Sequence, residues 1–255
     1  MHAADDRYQD GSHAHEGYLA YDDTTPAKRP AVLIFHQWAG CGAFEQSKAR
    51  MLAELGYVGF AVDMYGAGKR GSNPQENSAL MTPLVQDRAL LRRRTEAALA
   101  RVRSLPMVDA DRIGAIGFCF GGLCAFDLAR YGIAGVRGCM GFHGLFAPPA
   151  AGSVARAARM HTKVLAAHGW NDPMVRPDAV EAFAKELSDH GADWQILALG
   201  GCGHAFTNPA AQDPAGGMQY STLADERSSA AMRGFFAEVF GPRYESRVAN
   251  CPWPA

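Results

Sequence analysis

The stretch from Arg112 to Phe126, RIGAIGFCFGGLCAF, sets the architecture of the chain. An apolar, β-branched segment predicts a buried strand, and the apolar segment after the glycines predicts a helix. Cys119 stands at the turn between them, in the pattern G-x-C-x-G-G. This is the pattern of a nucleophile elbow with cysteine as the nucleophile, in which glycines let the strand and helix backbones approach closely. Free cysteine is also often a buried core residue, so the motif alone leaves both interpretations open.

Other apolar runs predict further strands, and amphipathic segments predict the helices that connect them. The strands are predicted at Ala31–Gln37, Tyr57–Tyr65, Arg112–Phe118, Gly135–His143, Lys163–Trp170 and Asp193–Gly201, and an opening hairpin around HEGYLAYDD. The helices are predicted at Phe44–Leu55, Pro83–Ser104, Gly122–Tyr131, Pro177–His190 and Leu223–Phe240. Alternation of strand and helix predicts an α/β fold with a mostly parallel central sheet and helices on both faces. The link between residues 145 and 162 is too short for a large cap domain.

The composition predicts one globular α/β domain over residues 1–255, with a loosely ordered segment at 1–15 and a C-terminal tail at 241–255. A formal net charge of −1 gives no electrostatic footprint for nucleic acid or an anionic membrane, which favours a small-molecule substrate. The start is polar and acidic, and no apolar run approaches the roughly 20 residues that span a bilayer. We therefore expect a cytoplasmic protein, as a monomer or small homo-oligomer, without membrane or nucleic-acid partners.

The cysteines and histidines predict neither a disulfide scaffold nor a metal site. Six cysteines occur without paired CxxC spacing, which is typical of thiols in a reducing compartment. The histidines are dispersed along the chain, and the sequence contains no HxH or HExxH motif. We expect no metal and no cofactor.

Two residues downstream of Cys119 complete a candidate catalytic triad. Asp172 follows a predicted strand in VLAAHGWNDPMV, and His204 follows the last predicted strand in ILALGGCGHAF. A nucleophile, an acid and a histidine in this chain order, each at the carboxyl end of a strand, are the pattern of an α/β-hydrolase. Alone, Asp172 could be a turn residue and His204 a surface residue. Together the three residues favour catalysis.

Stabilisation of an oxyanion requires backbone donors near the nucleophile. In this pattern they come from the residue after the nucleophile and from the loop after an early strand. The sequence therefore predicts the backbone N–H groups of Phe120 and Trp38, the latter in the HQWAGCG loop.

The chain resembles the dienelactone hydrolase (carboxymethylenebutenolidase-like) family of the α/β-hydrolase fold. The resemblance runs from about Glu16 to Phe240 and rests on FHQWAG, AVDMYG, GFCFGG, HGWNDPMV and GCGHAF. It implies an ester or lactone hydrolase without a large cap, and it implies that Cys119, Asp172 and His204 form the catalytic triad. The implied oxyanion donors are again Trp38 and Phe120.

The sequence departs from the family pattern in two places. Gln37 stands where the best-known members carry a glutamate that takes part in activating the cysteine, and an amide cannot take a proton from a thiol. Those members also bind a substrate carboxylate with arginines, one shortly after the catalytic histidine, where this chain has Thr207 and Asn208. A neutral or differently charged ester or lactone is therefore favoured as the substrate over a dienelactone carboxylate. Lys69 and Arg70, in the loop YGAGKRG, are candidates for the substrate pocket beside Gln37.

The expected activity is hydrolysis of a small carboxylic ester or lactone through an acyl-enzyme on Cys119. A thioesterase or acyltransferase could use the same triad. A non-catalytic binding or redox-sensing protein on a hydrolase scaffold is a further alternative. For that role, Cys202 and Cys41 are candidate redox partners of Cys119, because both lie in loops expected to flank it.

Overall fold

The computed structural model describes residues 1–241, which form an eight-stranded sheet covered by helices on both faces. The strands are β1 (His2–Asp10), β2 (His13–Tyr21), β3 (Arg29–Phe35), β4 (Val58–Val62), β5 (Val108–Phe118), β6 (Val136–Phe142), β7 (Lys163–Gly169) and β8 (Trp194–Leu199). Their order across the sheet is β1-β2-β4-β3-β5-β6-β7-β8. The pairs β1–β2 and β2–β4 are antiparallel, and the strands from β4 to β8 pair in parallel.

The helices divide between the two faces of the sheet. They are α1 (Ala43–Glu54), α2 (Pro74–Gln86), α3 (Arg88–Arg103), α4 (Phe120–Tyr131), α5 (Pro177–Asp189) and α6 (Thr222–Phe240). One buried cluster joins the sheet to α2, α3, α4 and α5, and a second joins it to α1 and α6. Strands β3 and β7 are buried along their whole length, as their continuous apolar sequences predict. This architecture confirms the α/β-hydrolase fold, and no large cap interrupts residues 1–241.

The structure corrects the prediction of a loosely ordered segment at residues 1–15. His2–Asp10 is an edge strand that pairs with β2 along its length. Its charged residues are held by helix α3, because Arg101 binds Asp6 at 2.7 Å and Arg93 binds Asp10 at 2.9 Å. The segment lacks an apolar run, and it is ordered by backbone pairing with β2 together with ion pairs to residues distant in the sequence.

The single helix predicted over Pro83–Ser104 is also corrected, because two helices occupy this region. Helix α2 begins after Asn73, whose side chain caps it, and contains Pro83. Asp87 then leaves the helical conformation, with φ −106° and ψ 89°, and its side chain accepts a hydrogen bond from Leu90 N at 2.9 Å. Asp87 is therefore both the end of α2 and the N-cap of α3.

The predicted C-terminal tail at 241–255 falls, apart from Gly241, outside the described residues. None of the helices in residues 1–241 combines the length and hydropathy that crossing a bilayer requires.

Candidate active site

Cys119 occupies the sharp turn between strand β5 and helix α4. Its backbone has φ 56° and ψ −116°, a conformation that costs energy for any residue with a side chain. Two hydrogen bonds hold it there, from Cys119 N to Phe142 O at 3.1 Å and from Gly122 N to Cys119 O at 2.9 Å. The side chain is half-buried and stands at the N-terminus of α4, where the helix dipole favours a negative charge.

The glycines around Cys119 are required by the close approach of backbone segments. A Cβ atom at Gly117 would lie 1.9 Å from Gly121 O, and one at Gly121 would lie 2.1 Å from Phe35 O. A Cβ at Gly122 would lie 2.5 Å from the Cα of Gly144. The glycine pattern in the sequence thus corresponds to real contacts between α4, the end of β5 and the end of β3.

His204 and Asp172 come together at the carboxyl ends of β8 and β7. His204 Nδ1 lies 2.7 Å from Asp172 Oδ2, and both side chains are buried. The other carboxylate oxygen of Asp172 accepts a hydrogen bond from Met174 N at 2.8 Å. Because His204 Nδ1 is hydrogen-bonded to Asp172, Nε2 is the ring nitrogen that can exchange protons with groups in the cavity. His204 and Cys119 both line that cavity.

The loop that carries His204 is anchored by a short hairpin, β9 (Gln212–Asp213) and β10 (Met218–Gln219). His204 N donates to Gly217 O at 2.7 Å, and Gln219 N donates to His204 O at 3.1 Å. The backbone of the histidine is therefore fixed on both sides, which positions the imidazole without help from bound substrate.

The electrostatics of the site favour a protonated His204. Burial lowers its pKa, but the charge of the Cys119 thiolate and the hydrogen bond to Asp172 outweigh burial and raise the pKa to about 10. The geometry and the electrostatics therefore favour an imidazolium at His204 backed by the Asp172 carboxylate.

The loop after β3 carries Trp38 and is fixed by buried polar groups. Glu45 accepts hydrogen bonds from Gln37 N at 3.2 Å and Gly42 N at 2.9 Å, and Tyr65 Oη donates to Trp38 O at 2.8 Å. Trp38 lines the same cavity as Cys119. Phe120 is the first residue of α4, so its N–H belongs to the helix N-terminal groups that have no partner within the helix.

His36 also holds this loop in place, through hydrogen bonds made by both of its ring nitrogens. Met64 N donates to His36 Nε2 at 3.2 Å, so Nδ1 carries the proton and donates to Gln37 O. Burial lowers the pKa of His36 to about 4, which keeps the ring neutral at physiological pH.

The cavity beside Cys119 has a volume of about 490 Å³ and a mainly apolar wall. Its other lining residues are Gln37, Trp38, Met81, Leu145, Met174, His204, Ala205, Asn208, Ala210, Ala211, Gln212, Asp213 and Met218. Among residues 1–241, this lining contains no lysine or arginine, and Asp213 is its one carboxylate. Methionine side chains adapt to substrates of different shape. The basic side chain that an anionic substrate would meet in the described lining is His204, which is already paired with Asp172.

Lys69 and Arg70, the predicted pocket residues, line a different and smaller depression. They share it with Glu16, Cys41 and Asp63, and it does not include Cys119. Gln37, in contrast, does line the cavity of Cys119. The structure thus brings together Gln37, the triad and Trp38, but not Lys69 and Arg70.

The other two cysteines considered for redox chemistry pack on the opposite face of the sheet from Cys119. Cys41 belongs to the buried cluster of α1 and α6, and half-buried Cys202 packs against that cluster, whereas Cys119 packs against the cluster of α2 to α5. Burial raises the pKa of the Cys41 thiol well above its usual range. Neither residue lines the cavity of Cys119.

Several residues of the site carried no signal in the sequence. Met81, Met174 and Met218 come from unrelated segments and meet only in the folded chain. His143, at the end of β6, is buried with its ring centroid 5.0 Å from that of His204. Its Nε2 lies 2.8 Å from Thr207 Oγ1, which ties the end of β6 to the His204 loop.

In residues 1–241, no group of three or more His, Cys, Asp or Glu side chains is arranged to hold a metal ion.

Comparisons with known proteins identify the family of the chain. The model of the dienelactone hydrolase family matches residues 15–240. A crystal structure of a dienelactone hydrolase-like promiscuous phosphotriesterase from metagenomic libraries is 36% identical, covers 94% of this chain and 99% of its own, and superposes with a TM-score of 0.88. The protein K02A2.1 of Caenorhabditis elegans is 35% identical over 59% of this chain and 94% of its own length.

A carboxymethylenebutenolidase homologue of Aquifex aeolicus (strain VF5) is 29% identical over 201 residues, which are 77% of this chain and 84% of that protein. The family match spans nearly all the described residues, from β2 to the end of α6, and it includes every residue of the cavity. The chain therefore belongs to the dienelactone hydrolase family and is a hydrolase of that type.

Proposed function

We propose that the protein hydrolyses small, uncharged carboxylic esters or lactones through an acyl-enzyme on Cys119. The observation that carries the proposal is the 2.7 Å hydrogen bond between His204 Nδ1 and Asp172 Oδ2, beside a cavity that Cys119 also lines. A buried carboxylate on Nδ1 fixes the tautomer and ring orientation of a histidine that works through Nε2. Membership in a hydrolase family supports the same chemistry.

Acylation begins from the thiolate–imidazolium pair. The Cys119 sulfur attacks the carbonyl carbon, a C–S bond forms, and the C=O electron pair moves to the oxygen. The resulting oxyanion accepts hydrogen bonds from the N–H groups of Trp38 and Phe120. When the carbonyl re-forms, the C–O bond to the leaving group breaks, and the alkoxide takes the proton from His204 Nε2.

Deacylation uses the change in charge that acylation causes. The thioester has no thiolate, and the thiolate charge is the largest of the influences that raise the pKa of His204. The pKa therefore falls, and the neutral imidazole becomes a base that removes a proton from water as the water oxygen attacks the thioester. The tetrahedral intermediate then expels the Cys119 thiolate, and the carboxylic acid leaves.

The test measures hydrolysis of p-nitrophenyl acetate and of γ-butyrolactone by wild type, Cys119→Ala and Cys202→Ala. We expect Cys119→Ala to lose at least about 10³-fold in kcat, because the nucleophile is removed. Cys202→Ala is the matched control, since Cys202 packs on the other face of the sheet and should leave the rate within about twofold. Hydrolysis by Cys119→Ala at the wild-type rate would contradict the proposal.

A second candidate activity is hydrolysis of neutral phosphotriesters. It is favoured by the likeness to the phosphotriesterase from metagenomic libraries, together with a cavity lining that has no lysine or arginine among residues 1–241. A phosphotriester is uncharged and has a tetrahedral centre, which resembles the intermediate of ester hydrolysis. Release of p-nitrophenol from paraoxon by wild type, lost in Cys119→Ala, would support this activity.

A further inference from the structure

We propose that the side-chain amide of Gln37 is a hydrogen-bond donor to substrate, held in that orientation by Asn208. The site would then select esters and lactones that carry a second uncharged acceptor, such as an ether or ketone oxygen, near the scissile carbonyl. This inference deepens the proposed function and rests on it.

The orientation of Asn208 is fixed by a backbone group. Ala210 N lies 3.0 Å from Asn208 Oδ1, and a backbone N–H can only donate. The atom facing Ala210 must therefore be the oxygen of the amide. The backbone of Asn208 is held as well, because Asn208 N donates to Ala205 O and Ala211 N donates to Asn208 O, each at 2.9 Å.

The orientation of Gln37 follows from that of Asn208. Since Oδ1 of Asn208 faces Ala210, its NH₂ group is the one that reaches Gln37, and Asn208 Nδ2 lies 3.3 Å from Gln37 Oε1. An NH₂ group only donates, so Gln37 must present its oxygen to Asn208. Within residues 1–241 no hydrogen bond engages Gln37 Nε2, and this half-buried side chain lines the cavity together with Cys119.

The charge of the cavity determines which acceptor the amide suits. In the described part of the chain, the lining has no lysine or arginine and includes the carboxylate of Asp213. A carboxylate on the substrate would lose its hydration and would find the His204 imidazolium already paired with Asp172, whereas an ether or ketone oxygen needs only the N–H of Gln37. The pair Gln37–Asn208 thus supplies a donor for a neutral acceptor.

The test compares two p-nitrophenyl esters of nearly equal size, methoxyacetate and butanoate, which differ by an ether oxygen in place of a methylene. The ratio of their kcat/KM values is divided by the ratio of their hydroxide-catalysed rates, which removes the intrinsic reactivity difference. We expect this corrected ratio to be about fivefold in wild type, the range of one neutral hydrogen bond, and to fall to about one in Gln37→Met.

Asn208→Asp provides an independent variant. A carboxylate at position 208 can still accept from Ala210 N but cannot donate to Gln37, so Gln37 must turn its NH₂ towards it and its oxygen towards the cavity. We expect the corrected ratio to fall to one or below. Gln75→Met, the same substitution on the exposed surface of α2, is the control and should keep the wild-type ratio.

The butanoate rate reports in each variant whether the site is intact. A wild-type ratio retained in Gln37→Met or Asn208→Asp, with hydrolysis still dependent on Cys119, would overturn this inference and leave the proposed function standing. Hydrolysis of both esters at wild-type rates by Cys119→Ala would overturn the proposed function, and this inference with it.

Discussion

Replacing Asp172 with asparagine tests the electrostatic design of the triad. The Asp172 carboxylate has two oxygens for two donors, Met174 N at 2.8 Å and His204 Nδ1 at 2.7 Å. An asparagine has one oxygen, and the backbone N–H of Met174 will hold it. The NH₂ group then faces His204 Nδ1, which must become the acceptor, and the imidazolium loses its support.

The size of the effect follows from the pKa of His204. With a pKa raised to about 10, His204 is mainly protonated near neutral pH. Without the charge and hydrogen bond of Asp172, burial lowers the pKa, and the neutral ring with its proton on Nε2 becomes the main form. We expect kcat/KM for p-nitrophenyl acetate to fall by about 10³-fold near pH 7.

The assay follows kcat/KM and the rate of Cys119 alkylation by iodoacetamide as functions of pH. Alkylation of wild type should persist below neutral pH and should slow sharply in Asp172→Asn. Asp178→Asn, an exposed change in the first turn of α5, is the control and should match wild type. An Asp172→Asn enzyme within about tenfold of wild type, with an unchanged alkylation profile, would refute the reasoning.

Three further predictions concern the surroundings of the triad. In Gly121→Ala the new Cβ would lie 2.1 Å from Phe35 O, so we expect urea denaturation to show a loss of about 3 kcal/mol in the free energy of unfolding. Gly234→Ala, where a Cβ would meet open space, is the control and should be neutral or stabilising. In Glu45→Gln one oxygen must serve two backbone N–H groups of the loop after β3, so kcat should fall about tenfold while the melting temperature changes little. In the wild-type pH–rate profile, activity should decline at alkaline pH, because the His204 imidazolium loses its proton there and its pKa is raised to about 10. A decline centred near the ordinary histidine pKa of 6.5 would contradict this prediction.

The sequence predicts the central strands and the candidate triad because both depend on local patterns. Buried parallel strands are continuous apolar runs, and the strand of Lys163–Gly169 begins where its apolar run predicts. The glycines flanking Cys119 have a local steric cause, which is visible as a motif. The positions of Asp172 and His204 follow from the topology, since parallel strands bring their carboxyl ends to one edge.

The remaining features depend on partners far away in the chain. Strand β1 pairs with β2 and is tied to arginines of α3 that lie about 80 to 95 residues away, whereas its charged sequence alone looks like a solvated segment. The hydrogen bond between Gln37 and Asn208 joins residues 171 positions apart, and neither residue belongs to a periodic pattern. Because a single sequence does not report such pairings, the identity of the cavity wall required the structure.

The measurement that tests the central claim most directly is the covalent site of acylation. The p-nitrophenyl ester of dimethylcarbamic acid should transfer its dimethylcarbamoyl group to the nucleophile and release p-nitrophenol. The carbamoyl group should then be hydrolysed only slowly, because carbamoyl groups resist attack by water. We expect release of one p-nitrophenol per active site, and mass spectrometry of the digested protein should find one dimethylcarbamoyl group on Cys119. Modification of a different residue, or equal release of p-nitrophenol by Cys119→Ala, would contradict the account.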